Sequence, residues 1–491
     1  MNRSPALMTA PSPNSDPFAI DWGEPDDAPP ACKVVLINPY ELGRQSFNLA
    51  APAALLKAAG FDVACLDLSL QKLDPAVLHG AKLIALHLGM HTATRIAIAA
   101  LPKIRELAPQ AQLAMYGLYA PMNAALLHEL GVASLIGGEY EPELVALAER
   151  LRDGEHPSHN HVSVPLAKVE FITPDRRDLP RLTRYAHLIL PDGGKKVVGF
   201  TETTRGCKHL CRHCPVVPVY QGKFRPVQMD VVLADIEQQV VAGAEHISFG
   251  DPDFFNGPTH ALRILDAMHQ RFPNLSFDAT IKIQHLLDHA DLLPTLRDTG
   301  CLFITSAVEA VDDAILEHLD KHHTRADFER ALRLCREQGI FLAPTFVPFT
   351  PWTTLDGYLD LLRELLRLKL VQAVPPVQLA IRLLVPQGSY LLNLAGFAEH
   401  LQPFDQTLLG YPWQHADPRV DALQQQIMAT AMQQEDAPRG VVFKAIWQLA
   451  HDAAGLPAPT LEHADFGETI ARLSEPWYCC AEPTDQQLQS F

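Results

Sequence analysis

Absent from this sequence is any run of about 18 uncharged apolar residues, the least that a helix needs to cross a bilayer. The most apolar stretch, Leu359 to Val385, is broken by Arg363, Glu364, Arg367 and Lys369. The first residues, Met1-Asn2-Arg3-Ser4-Pro5, lack the apolar core of a signal peptide, so export is not expected. Positive charge is also short: 40 Lys and Arg face 57 Asp and Glu, a net charge of −17, and no basic stripe stands out. Nucleic-acid binding needs clustered cations to meet phosphates, which argues against such a partner. Nine cysteines in 491 residues, with no export signal, do not suggest a disulfide framework. The expectation is a soluble cytoplasmic protein with reduced cysteines and neither membrane nor nucleic-acid partners.

What is present is concentrated. Three of the nine cysteines fall in Gly206-Cys207-Lys208-His209-Leu210-Cys211-Arg212-His213-Cys214, soon after the apolar run Val197-Val198-Gly199-Phe200. Composition alone would set three cysteines at this Cys-x3-Cys-x2-Cys spacing in roughly three of a thousand such chains. Thiolates on one short loop can wrap a cubane iron–sulfur cluster, for which cysteine sulfur is the usual ligand. No fourth cysteine is nearby, so one iron of a four-iron cluster would lack a protein ligand and stay open to another molecule. Zinc is the competing reading. Structural zinc takes four ligands, usually from paired Cys-x2-Cys hooks, and His209 and His213 could complete a mixed set.

The length predicts two or three domains with real cores. Residues 1–31, rich in Pro, Ser and Asp, read as a disordered tail. Residues 32–150 alternate strands and helices. The strands are Lys33 to Pro39, Phe61 to Leu66, Lys82 to Leu88, Gln112 to Tyr116 and Ser134 to Ile136; helices are expected at 49–59, 93–107 and 121–130. This is the pattern of a doubly wound parallel sheet, whose ligands lie beyond the carboxyl ends of its strands. Gly89, Gly117, Gly137 and Gly138 fall in those loops, either as plain turn residues or as room for a large flat ligand. Residues 151–193 read as a linker. Residues 194–395 repeat strand and helix, with strands at 197–200, 246–249, 277–281, 302–306, 341–346 and 377–383. That suggests an open or partial β/α barrel with functional groups at the strands' carboxyl ends. Residues 396–491 read as a mostly helical extension.

Cys207, Cys211 and Cys214, preceded by Thr204-Arg205-Gly206, resemble the radical S-adenosylmethionine (radical SAM) enzymes. The resemblance implies a [4Fe–4S] cluster held by these three cysteines. It also implies S-adenosyl-L-methionine chelated at the open iron, its reductive cleavage, and an electron donor such as flavodoxin or ferredoxin. His213 stands where the family usually has an aromatic ring near the adenine, and imidazole can stack in its place. Gly250-Asp251-Pro252 stands where the family carries a Gly-Gly-Glu-Pro-like motif that holds the SAM amino group, which points to Asp251, with Asp253 as the alternative. A carboxylate suits an ammonium through charge-assisted hydrogen bonds; both residues could instead cap a helix. Ser306 and Glu309 resemble the strand end that touches the SAM ribose or carboxylate, although Ala310 replaces the usual serine. Arg382 resembles a late-strand arginine that holds a carboxylate or braces the barrel.

The first sheet, with Gly117-Leu118-Tyr119 and Gly138-Glu139-Tyr140-Glu141, resembles the cobalamin-binding domain of the cobalamin-dependent radical SAM subgroup. The implied fold is a Rossmann- or flavodoxin-like sheet followed by a partial (β/α)6 barrel of TIM type and the helical extension. The Asp-x-His-x-x-Gly motif that supplies an imidazole to cobalt elsewhere is absent, and His87 and His91 do not match its spacing. Cobalamin without that imidazole, or an empty scaffold, both remain open. The end, Trp477-Tyr478-Cys479-Cys480-Ala481-Glu482-Pro483, resembles the CUAEP/CCAEP-tail radical SAM proteins. Their selenocysteine corresponds to Cys480, which implies a working thiol there with Cys479 as its resolving partner. Methyl transfer to a small-molecule substrate is the leading expectation. A cobalamin-independent rearrangement or oxidation involving the tail is the alternative, and a non-catalytic metal-binding interaction protein is a third.

Overall fold

Val34, Val35, Leu36 and Ile37 form an apolar run without polar alternation, as a strand covered on both faces requires. The computed structural model describes residues 32–155 and 160–475 and places them so. Strand β1 (Lys33–Asn38) sends Val34 and Leu36 into one core and Val35 and Ile37 into another on the opposite face. It pairs with β2 (Asp62–Asp67) and β3 (Leu83–His87); β4 (Gln112–Tyr116), β5 (Ser134–Ile136) and β6 (His161–Ser163) follow. All pairs are parallel, in the order β2-β1-β3-β4-β5-β6, so the chain reverses direction of travel between β1 and β3. Loops leaving that switch point open the crevice in which doubly wound sheets bind ligands. Strand β6 comes from the stretch read as a linker. Three residues, His161-Val162-Ser163, are too few to show a pattern in sequence.

The second sheet runs β14-β13-β12-β11-β8-β7-β15. Its parallel part is β8 (Lys195–Thr201), β11 (His246–Phe249), β12 (Ser276–Thr280), β13 (Cys301–Glu309) and β14 (Phe341–Phe346). Strands β7 (His187–Ile189) and β15 (Arg472–Leu473) add an antiparallel edge, and β9 (Thr204–Gly206) pairs with β10 (Phe224–Pro226) as a separate ribbon. This is the partial β/α barrel, with one difference at its far edge. The expected strand 377–383 is a 3-10 turn, Pro376–Leu379, followed by a single parallel bridge between Phe349 and Arg382. Pro376 stands at the first position of this turn, where its fixed φ favours a helical start over an extended strand.

The helical extension contributes Pro418–Gln433 and Arg439–Ala454, whose Val420, Leu423, Ile427, Phe443 and Ile446 join the barrel's core. The helix Phe47–Ala58 serves both halves. Its Leu49, Ala50, Ala53 and Leu56 pack under the first sheet, while Phe47 and Ala51 belong to the barrel's core. The carboxyl ends of the two parallel sheets therefore contribute to a common cavity. No helix among the described residues is long and apolar enough to cross a membrane.

Candidate functional site

The cysteine loop hangs from a fixed turn. Asp251, just beyond β11 and 2% exposed, accepts from Thr203 N at 2.9 Å and from the hydroxyls of Thr203 and Thr204, each at 2.6 Å. Burial still pushes its pKa up to about 7. Gly206 follows at φ +74°, where an added Cβ would stand 2.4 Å from Tyr220 Cδ1 and 2.5 Å from the Lys223 carbonyl, so only glycine fits. Asn256 clamps the next residues, donating to the Gly206 carbonyl at 3.1 Å and accepting from Lys208 N at 3.1 Å. Beyond them Arg212 donates to the carbonyls of Glu317 and His318, each at 2.9 Å.

Cys207, Cys211 and Cys214 are free thiols. Burial pushes Cys207 up to about 12 and Cys214 higher still, so they carry thiolate charge only beside a cation. Among the described residues they do not gather within 4.8 Å of one another. Sulfurs around one zinc lie about 3.8 Å apart, as Zn–S bonds of 2.3 Å in a tetrahedron dictate, closer than these three thiols are placed. The two histidines proposed to complete a zinc set have other partners. His213 Nε2 bonds Glu309 Oε1 at 3.0 Å, and His209 Nε2 lies 3.0 Å from His285 Nε2. Lys282, with its Nζ buried and lacking a hydrogen-bond partner, is in electrostatic reach of Cys207 and Cys211, as expected beside a negatively charged cluster. The three-thiol donor set fits a [4Fe–4S] cluster with an open iron.

A cavity of about 370 Å³ separates the two sheets' carboxyl ends. Glu41, His87, Gly117 and Gly138 line it from the loops and ends of β1, β3, β4 and β5. Cys214, Asp251, Thr305 and Glu309 line it from the barrel, with His213 beside them. Glu309 is held by His213 and by Lys321 Nζ at 3.2 Å; burial opposes its charge, yet Lys321 and His213 draw its pKa down to about 2. Ser306 takes no part in the wall. Strand alternation turns Thr305 and Ala307 to the cavity and leaves Ser306 Oγ buried behind them without a hydrogen-bond partner. Asp253 is also outside the wall: it accepts from Phe255 N at 3.1 Å and lies 2.7 Å from His285 Nδ1. Arg382 is bound 2.6 Å from Asp421 and stacks 3.5 Å over the Trp413 ring, bracing the extension. Cys479 and Cys480 lie outside the described residues.

A buried charge network between the two halves was not anticipated. Arg205, 5% exposed, lies 2.6 Å from Glu141 Oε1, donates to Glu202 at 3.0 Å and to Asn48 Oδ1 at 3.2 Å. Its guanidinium also stands 4.8 Å over the ring of Tyr140 and 4.9 Å over that of Phe171. Asn48 Nδ2 donates onward to Glu202 at 2.7 Å and Glu41 at 3.1 Å. Burial pushes Glu41 up to about 7 and His87 down to about 3, so at neutral pH His87 is uncharged. The motif Thr204-Arg205-Gly206 marked Arg205 in sequence, but nothing there revealed its partners.

Residues 201–363 match the family model described as the radical SAM superfamily. No curated protein matches the sequence. Among solved structures, the chain is similar to TsrM from Kitasatospora setae, a radical S-adenosylmethionine methyltransferase with tryptophan substrate and a SAM analogue bound. Identity there is 19% and the TM-score 0.58, over 69% of this chain and 71% of that one. It is also similar to the cobalamin-dependent S-adenosylmethionine radical enzyme OxsB with aqua-cobalamin bound, at 15% identity and TM-score 0.66, over 86% of this chain and 73% of that one. At these identities the likeness is one of fold.

Proposed function

We propose that this chain, whose residues 201–363 form a radical SAM domain, is a cobalamin-dependent methyltransferase acting on an unactivated carbon of a small molecule. The observation that carries the reading is the shared cavity, with Cys214 of the cysteine loop on one wall and the β1, β3, β4 and β5 ends on the other. When bound, the cluster supplies an electron, SAM a radical precursor and a methyl group, and cobalamin a methyl carrier. Cys207, Cys211 and Cys214 would hold the cluster, and the loop that carries them has no fourth cysteine to close it. Asp251 has three of about four acceptor sites filled by Thr203 and Thr204, which leaves one for an ammonium. Glu309, kept ionised by Lys321, fixes the His213 ring at the cavity edge, where it can stack on a nucleobase.

The narrower kinship with the CCAEP-tail proteins rests on the sequence Cys479 to Pro483, and with it a reactive thiol at Cys480. The cluster's electron would come from a flavodoxin- or ferredoxin-type donor. Anaerobic reconstitution of the full chain is expected to bind about four irons and to cleave SAM under reduction. Replacing Cys207, Cys211 and Cys214 by Ala should abolish both. Zinc in place of iron in the wild type would overturn the reading.

A further inference from the structure

His87 is the last residue of β3, at the switch point of the first sheet, and is 4% exposed. No hydrogen bond engages its ring. A buried imidazole without one is costly, and such groups are rare in folded proteins. The ring is nonetheless held firmly. A Cβ on Gly89 would stand 2.7 Å from its Cε1 and 3.2 Å from Nε2, and one on Gly117 3.0 Å from its Cδ2, so the two glycines make room for it. Tyr116 and Tyr140 flank it at ring-centre distances of 5.3 and 6.2 Å. Nδ1 faces Glu41 Oε2 at 3.8 Å, and neither atom has a hydrogen-bond partner. Nε2 lies on the Gly89 side, and both residues line the cavity.

The pairing of a buried imidazole with a carboxylate on its Nδ1 side suits a metal ligand. A histidine that binds metal through one ring nitrogen almost always gives the other N–H to a carboxylate, and Glu41 stands in that place. We propose that His87 is an axial ligand to the cobalt of a corrinoid, through Nε2, with Glu41 orienting the imidazole from Nδ1. The inference rests on the cobalamin reading above. It replaces the missing Asp-x-His-x-x-Gly imidazole by one that β3 carries at its own end, closed in by Gly89 and Gly117.

The test uses the full chain loaded with cobinamide, a corrinoid with no benzimidazole of its own, and reduced to the cobalt(II) state. Electron paramagnetic resonance should then show a nitrogen triplet on the cobalt lines. Protein labelled with ¹⁵N-histidine should turn each triplet into a doublet. His87→Ala should keep bound corrinoid but lose the splitting, whereas His91→Ala should retain it. Glu41→Gln should preserve the splitting and weaken cobinamide binding. Bound cobinamide without nitrogen splitting, or splitting that survives His87→Ala, overturns the assignment and leaves the cobalamin reading standing. No corrinoid binding at all overturns both.

Discussion

Glu309 shows how one side chain's charge is decided by neighbours rather than by exposure. Burial alone would discharge it, but Lys321 at 3.2 Å and His213 at 3.0 Å lower its pKa to about 2. A carboxylate with a folded-state pKa below its unfolded value of about 4.3 adds stability above that value and loses it as pH falls toward 2. Glu309→Gln is therefore expected to destabilise the apoprotein by about 3 kcal/mol at pH 7, because it also leaves Lys321 buried and unpaired. The difference in thermal midpoint between the two proteins should shrink as pH is lowered from 5 to about 3. A gap independent of pH would show that Glu309 is not held ionised. Arg205 presents a different balance, one guanidinium beside both Glu141 and Glu202. Burial raises the pKa of Glu202, and Arg205 opposes that rise without cancelling it.

At the scale of elements, the helix Phe47–Ala58 repays close attention because it breaks a rule and repairs the break. Pro52 in its interior cannot donate to the Asn48 carbonyl four residues earlier, and Tyr116 Oη donates to that carbonyl instead, at 3.0 Å. Tyr116→Phe is expected to cost about 1–3 kcal/mol by leaving a buried carbonyl unsatisfied, read as a lower urea midpoint with an unchanged slope. A neutral substitution would mean that the carbonyl finds water. The same scale explains what the sequence revealed. Strands such as β1 and β3 were legible because both faces are buried and their residues are uniformly apolar. Strand β6 and the turn Pro376–Leu379 were not, one for brevity and the other because an apolar run reads as a strand even where Pro376 starts a turn. Ser306 was placed by its position along a motif, which says nothing about the face of the strand on which it falls.

At the scale of the molecule, the cysteine loop was legible because its three cysteines lie within eight consecutive residues, Cys207 to Cys214. The charge network was not, since Asn48 and Glu202 are 154 positions apart and meet only when both halves are folded. Because the helix Phe47–Ala58 and the Arg205 network belong to both halves, the described residues should unfold together. Calorimetry of the full chain is expected to give one main transition; two well-separated ones would mean that the sheets are thermodynamically independent.

The far end of the described chain adds a last tie. Strand β15 closes the open edge of β7, and two residues later Glu475 accepts from Tyr40 Oη at 2.5 Å, across 435 positions of sequence. Tyr40 belongs to the loop that carries Glu41, Leu42 and Arg44 to the cavity. Residues 472–475 thus tie down the loop that lines the cavity. Loss of the Glu475 carboxylate, as in Glu475→Ala, would be felt first as slackness far away along the sequence, in the wall that carries Glu41, before any loss of the cores.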